Sequence, residues 1–163
     1  MDNKVNEIQE SFEEAAAVER PASSEVKVDS KELAEFIVGV LSDRKATDIR
    51  LLRVAEKTVL TDYFVICTGN SNTQIKGIAG EIDAKVAEKY GLTPRSTEGY
   101  ADANWILIDY GCAIVHIFNR EKRGFYNLEK LYADAKEIDI GNLIETDEEP
   151  EAESDAAAPD SEE

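Results

Sequence analysis

What this 163-residue chain lacks narrows its chemistry before any motif is considered. It has two cysteines, Cys67 in a strand-like run and Cys112 at a turn, too few for a disulfide framework or a structural zinc site. Its one histidine, His116, adds little further ligand capacity, so no metal or cofactor is expected. No run approaches the ~20 apolar residues that cross a bilayer. The acidic N-terminus has neither the basic region nor the apolar core of a signal peptide, and is too acidic for a mitochondrial transit sequence. The chain is therefore expected to stay soluble in the compartment where it is made, the cytoplasm.

Basic residues are also missing where acids are densest. Residues 144–163 hold ten acidic residues and no Lys or Arg, and residues 1–28 hold seven acids against three bases. Between them, residues 29–143 hold eighteen acids against fifteen bases, so the formal charge of -17 lies mostly in the ends. A nearly balanced middle does not forbid contact with a nucleic-acid-rich partner. Both ends are rich in Glu, Asp, Ala and Ser, a composition that cannot bury enough surface to offset the entropy of ordering. They are expected to be disordered, although IQESFEEAAAVE could form a short amphipathic helix. The single domain is expected over 29–143.

That middle alternates helical and strand patterns. In VDSKELAEFIVGVLSDRKA, Asp29 can cap a helix with Glu32 at the reciprocal capping-box position, and Leu33, Phe36, Ile37, Val40 and Leu41 share one helical face. TDIRLLRVA reads as a strand. YFVICTG is a continuous apolar run that suits a central strand covered on both faces. Ser71 and Gln74 repeat the capping-box spacing, and Ile75, Ile78, Ala79, Ile82, Val86 and Tyr90 form a second helical stripe that stops at Gly91. Pro94 keeps the next segment at an edge or in a loop. A basic connector, NREKRG, then leads to a closing helix with a stripe of Phe125, Leu128 and Leu131 to Tyr132. The fold class this predicts is α/β (α+β), a mixed sheet flanked by helices.

The only tryptophan and the only histidine fall together in WILIDYGCAIVHIF, which reverses at Gly111. A two-residue turn puts Ile106, Ile108, Tyr110, Ala113, Val115 and Ile117 on one face, almost purely aliphatic and suited to core. Trp105, Leu107, Asp109, Ile114, His116 and Phe118 share the other. That mixture of aromatics, an acid and an imidazole is one expected where a partner docks, although a helix of the same domain could equally cover it. Truncating Trp105 is expected to weaken such docking and leave the fold intact. Asp109 and His116 could form an acid–base pair, but strand parity supplies no nucleophile. Glu81 and Asp83 raise a metal-dependent nucleotidyltransferase as the alternative. That chemistry needs two acids aimed alike from a strand, and on a helix they diverge by about 200°. Arg120, Lys122 and Arg123 form a basic cluster that can touch phosphate.

In order and spacing, TDYFVICTGNS, STEGY, WILIDYGCAIVHIF and RGFYNLEKLY resemble the ribosomal silencing factors, or Iojap-like proteins, over essentially all of 29–135. The resemblance implies a nucleotidyltransferase-like fold without catalysis, often dimeric when free. It implies a translation repressor that binds the large ribosomal subunit through large-subunit ribosomal protein number fourteen, with rRNA contact only at the periphery. Bound there, it would sterically keep the small subunit from joining under nutrient limitation. The partner-binding residues it implies are Trp105, Leu107, Asp109, Tyr110, His116, Phe118, Arg123, Tyr126, Leu128, Glu129 and Leu131. This chain departs from the family's usual Ser-Arg-His at Asn72, Thr73 and Gln74, and also at Cys112 and Tyr132.

Overall fold

The computed structural model describes residues 28–144. The acidic ends expected to be disordered, IQESFEEAAAVE included, lie outside them. The first helix, α1 (Ser30–Asp43), starts where the capping pattern predicts, with Asp29 Oδ2 accepting from the Glu32 backbone N–H at 2.9 Å. The reciprocal half of the box is not made; the Glu32 carboxylate instead accepts from the Tyr90 hydroxyl at 3.1 Å, which joins α1 to the second helix. That helix, α2 (Asn72–Tyr90), is capped by Ser71 and ends at Gly91, whose φ of 66° is the left-handed stop that glycine adopts without steric cost.

Among the described residues, six strands form one mixed sheet: β1 (Thr47–Arg53), β2 (Tyr63–Thr68), β3 (Ser96–Glu98), β4 (Trp105–Asp109), β5 (Ala113–Phe118) and β6 (Lys136–Ile138). Their order is β3-β4-β5-β2-β1-β6. Only β2 and β5 run parallel, and both are buried along their whole length. The continuous apolar run of β2 reflects that double cover. Following Pro94, β3 is an edge strand, and β6, too short and polar to be seen in the sequence, forms the other edge against β1.

Two cores sit on opposite faces of the sheet. Beneath α1 and α2, the larger gathers Leu33, Ile37 and Leu41 with Ile75, Ile78 and Ile82 over Val65, Ile106, Val115 and Ile117. The smaller gathers Leu52, Phe64, Ile66, Leu107, Ile114 and Phe118 with Leu128 and Tyr132. The division of the hairpin into two faces is the one that alternation predicts, because Trp105 pairs with Phe118 and Asp109 with Ile114 across a two-residue turn. Gly111 takes φ 89° there, and its N–H donates to Asp109 Oδ1 at 2.7 Å.

The last helical region differs from expectation. NREKRG is not a connector: Asn119 Oδ1 accepts from the Lys122 N–H at 2.8 Å and starts α3 (Arg120–Tyr126). Nor does one helix run on from Phe125. Asn127 adopts φ 49°, a conformation asparagine tolerates, and separates α3 from the single turn α4 (Leu128–Leu131). The break turns Leu128 and Tyr132 into the smaller core and leaves Phe125 and Leu131 outside, so the predicted stripe does not share one face.

Candidate functional site

The hairpin face that bears Trp105 and His116 is floor rather than surface. The turn formed by α3 and α4 lies over it. Leu107, Asp109, Tyr110, His116, Phe118 and Leu128 are all buried in the monomer, while Trp105, Arg123, Tyr126 and Glu129 are half-buried. Among the predicted contact residues only Leu131 is exposed, at 46%. Of the two readings of this face, an open docking surface and cover by a helix of the same domain, the second is the one found. The physical reason is that α3 and α4 carry enough apolar area, in Tyr126, Leu128 and Tyr132, to cover it.

Aromatic rings knit the floor to its cover. Trp105 stacks on Phe118 with centroids 4.8 Å apart and meets Tyr126 at 4.7 Å. Edge-to-face contacts join Phe64 to His116 at 4.8 Å and to Tyr132 at 4.9 Å. The Trp105 indole N–H donates to His116 Nδ1 at 3.1 Å, which places the imidazole proton on Nε2. Burial in this apolar setting pushes the His116 pKa down to about 3, so the ring is neutral at physiological pH.

Charges fix the cover at its ends. Arg123 Nη1 donates to the Asp48 carbonyl at 2.6 Å and to Thr68 Oγ1 at 2.8 Å, while its Nε donates to Glu129 Oε2 at 3.0 Å. Glu129 also meets Arg50 at 3.7 Å. Arg50 holds Glu137 through Nε at 2.9 Å and Nη2 at 2.6 Å, a fork that lowers the Glu137 pKa. A cavity of about 390 Å³ opens beside this ladder between α4 and the β1–β6 edge, and the Arg50 charge on its wall is already answered by these carboxylates.

What remains outward is a ridge. Phe125 is 47% exposed and packs edge-to-face on Tyr126, with Lys122 Nζ 5.8 Å from its ring centroid, and Leu131 stands exposed on α4. Sequence reasoning assigned Phe125 to a core stripe. The signal that could have moved it outward is its place beside Gly124, in the last turn of a helix begun at Asn119. The ridge offers apolar and cationic groups on a braced base, a composition suited to docking.

The candidate chemical pairs are not assembled. His116 is bonded to Trp105, whereas Asp109 accepts from Gly111 and meets Arg95 at 3.9 Å. Glu81 and Asp83 lie on α2, where Glu81 meets Lys85 at 4.0 Å and Asp83 accepts from the Tyr110 hydroxyl at 3.3 Å.

Comparison with known proteins gives this surface its context. A family model described as "Ribosomal silencing factor during starvation" matches residues 27–163. A ribosomal silencing factor from Halalkalibacterium halodurans is 38% identical over 71% of this chain and 97% of its own length. One from Bacillus subtilis is 36% identical over 69% of this chain and 95% of its own. The chloroplastic Iojap protein of Zea mays is 36% identical, with half of its own length covered. A crystal structure of a Chromobacterium violaceum protein superposes with a TM-score of 0.63 at 29% identity, covering 65% of this chain and 88% of that one. A Bacillus halodurans crystal structure gives 0.58 at 38% identity, covering 67% and 98%. By sequence and by fold, this chain belongs to the ribosomal silencing factor family.

Proposed function

We propose that this chain represses translation in the cytoplasm by occlusion, without catalysis. It docks on the large ribosomal subunit through large-subunit ribosomal protein number fourteen, and its bulk there blocks joining of the small subunit when nutrients are limiting. One observation carries the reading: the exposed ridge of Phe125 and Leu131 stands on a base locked by the Trp105–His116 bond and the Arg123–Glu129 pair. A rigid support limits the side-chain entropy lost on docking, and exposed aromatics bury much area for few rotatable bonds.

Within this reading the predicted contact residues divide by depth. Leu131, Tyr126 and the rim of Trp105 meet the partner, joined by Phe125. Arg120 and Lys122 supply the peripheral rRNA contact. Leu107, His116, Phe118 and Leu128 act from beneath by shaping the ridge, whereas Tyr110 lies under α2 on the opposite face, bonded to Asp83, and Asp109 braces the hairpin turn at Gly111. A homodimer of the free chain would have to dissociate if it used the same ridge.

Sucrose-gradient sedimentation tests the proposal, first with separated subunits and then with both together. The expected result is co-migration with the large subunit alone and loss of joined particles. Co-migration with intact subunit couples would overturn it.

A further inference from the structure

Arg123 belongs to the sequence motif implied to meet the partner, yet the structure turns its guanidinium inward. Its side chain is only 12% exposed. Three of its nitrogens are engaged by three different elements: Nη1 by the Asp48 carbonyl in β1 and by Thr68 Oγ1 at the end of β2, Nε and Nη2 by Glu129 in α4. The Asp48 carbonyl is available because β1 is irregular there. Its register against β2 shifts between Thr47 and Arg50, and Asp48 takes φ 51°. A bulge of this kind leaves a residue out of the ladder and re-aims its groups.

We propose that Arg123 is a positioning residue of the docking ridge, a key that locks the α3–α4 turn into the β1 bulge, rather than a contact to the ribosome. The inference rests on the ridge being the docking surface. The break at Asn127 is otherwise held by short-range backbone bonds, from the Asn127 N–H to the Arg123 carbonyl at 2.9 Å and from the Lys130 N–H to the Asn127 carbonyl at 3.1 Å, and by burial of Leu128 and Tyr132. Arg123 spans that break by gripping Glu129 six residues on, while its other nitrogen grips the sheet. Lysine, a point charge with no planar fork, cannot hold all three partners at once.

Thr68 makes the test selective, because it is 2% exposed and cannot touch a partner directly. Full-length Thr68→Val, Glu129→Gln, Arg123→Lys and Arg123→Ala proteins would be compared for affinity to purified large subunits at two salt concentrations. Amide hydrogen exchange would be followed over 120–132 and over β2. Positioning predicts that Arg123→Ala weakens binding about tenfold and that Thr68→Val and Glu129→Gln each weaken it a few-fold. Adding Thr68→Val to Arg123→Ala should cost nothing more. Exchange should quicken over 120–132 while β2 stays protected, a signature that general loss of stability would not give. The salt dependence of binding should be unchanged.

If Arg123→Ala abolished binding and flattened its salt dependence while Thr68→Val and Glu129→Gln bound normally, Arg123 would be a direct contact and the proposal would be wrong. Unchanged exchange over 120–132 in Arg123→Ala would equally overturn it. That readout needs no ribosome, so failure of the unaltered chain to bind large subunits would count against the docking reading alone.

Discussion

Trp105 and His116 face each other across the β4–β5 hairpin, 3.1 Å from indole nitrogen to imidazole nitrogen, with the imidazole buried and the indole half-buried. Their bond lets a histidine sit among Phe64, Phe118 and Ile66 without its ordinary protonation. Desolvation there disfavours the cation, so the ring acts as a hydrogen-bond acceptor packed like an aromatic.

Acid should therefore loosen the smaller core. The folded-state pKa of His116 lies at about 3, below the unfolded value of 6.5, so the unfolded chain binds the extra proton first. Stability from this group is complete above pH 6.5 and is lost as pH falls from 6.5 toward 3. The loss approaches about 1.4 kcal/mol per pH unit, or about 2 kcal/mol by pH 5. Urea denaturation at pH 7.5 and pH 5 should show it as an excess drop in the native chain relative to His116→Phe, which carries no titrating ring. Equal drops in the two proteins would contradict the burial.

The part of this architecture that could be read in the sequence is the part encoded locally. Asp29 and Ser71 cap helices because their side chains need only a neighbouring N–H, and hairpin parity follows from a side-chain period of two. The smaller core was illegible for a tertiary reason. Whether Trp105 faces water depends on where α3 and α4 return, and that return hinges on the left-handed Asn127 and on Arg123 reaching Asp48, seventy-five positions away in the chain. Composition made Trp, Asp and His look like a docking face; the same residues serve as a polar-edged floor. Phe125 was misplaced for the same reason, since a continuous helix would have turned it inward.

Trp105→Ala should consequently damage the fold as well as docking. The indole stacks on Phe118 and Tyr126, and its loss would also take the donor from His116 Nδ1. Large-to-small changes at aromatic sites cost about 3 kcal/mol or more when buried, and about 2 kcal/mol is expected for this half-buried ring. Trp105→Phe should retain most of the stacking and lose about 1 kcal/mol with the hydrogen bond. Chemical denaturation of the two variants gives the order directly. A Trp105→Ala protein as stable as the native chain would remove Trp105 from the core.

The entry to β4 depends on a second close approach. Gly99 takes φ 84°, and a Cβ built on it would lie 2.1 Å from the Trp105 carbonyl oxygen, a backbone atom that cannot swing aside. Gly99→Ala therefore meets both left-handed strain and a clash, and should cost at least about 2 kcal/mol in unfolding free energy. Gly80→Ala on α2 meets nothing within 4 Å and should be neutral or slightly stabilising, since alanine is the better helix former. Thermal unfolding of the pair provides an internal control for the measurement.

Ridge and base can be separated by substitution on the outer surface. Phe125 and Leu131 are 47% and 46% exposed, so Phe125→Ser and Leu131→Ser should each change stability by no more than about 0.5 kcal/mol. At a docking hot spot the same truncations should weaken large-subunit binding at least about tenfold. Val59, exposed to 85% at the opposite end of the sheet from the β5–α3 connection, provides the comparison: Val59→Ser should alter neither stability nor binding. Sedimentation with large subunits, run beside urea denaturation of each variant, makes the distinction. Loss of binding by the folded Phe125 and Leu131 variants, with Val59→Ser unaffected, would assign affinity to the outward ridge. Full binding by both ridge variants would move the docking surface elsewhere on the domain, because no remaining residue of α3 or α4 presents a comparably exposed apolar side chain.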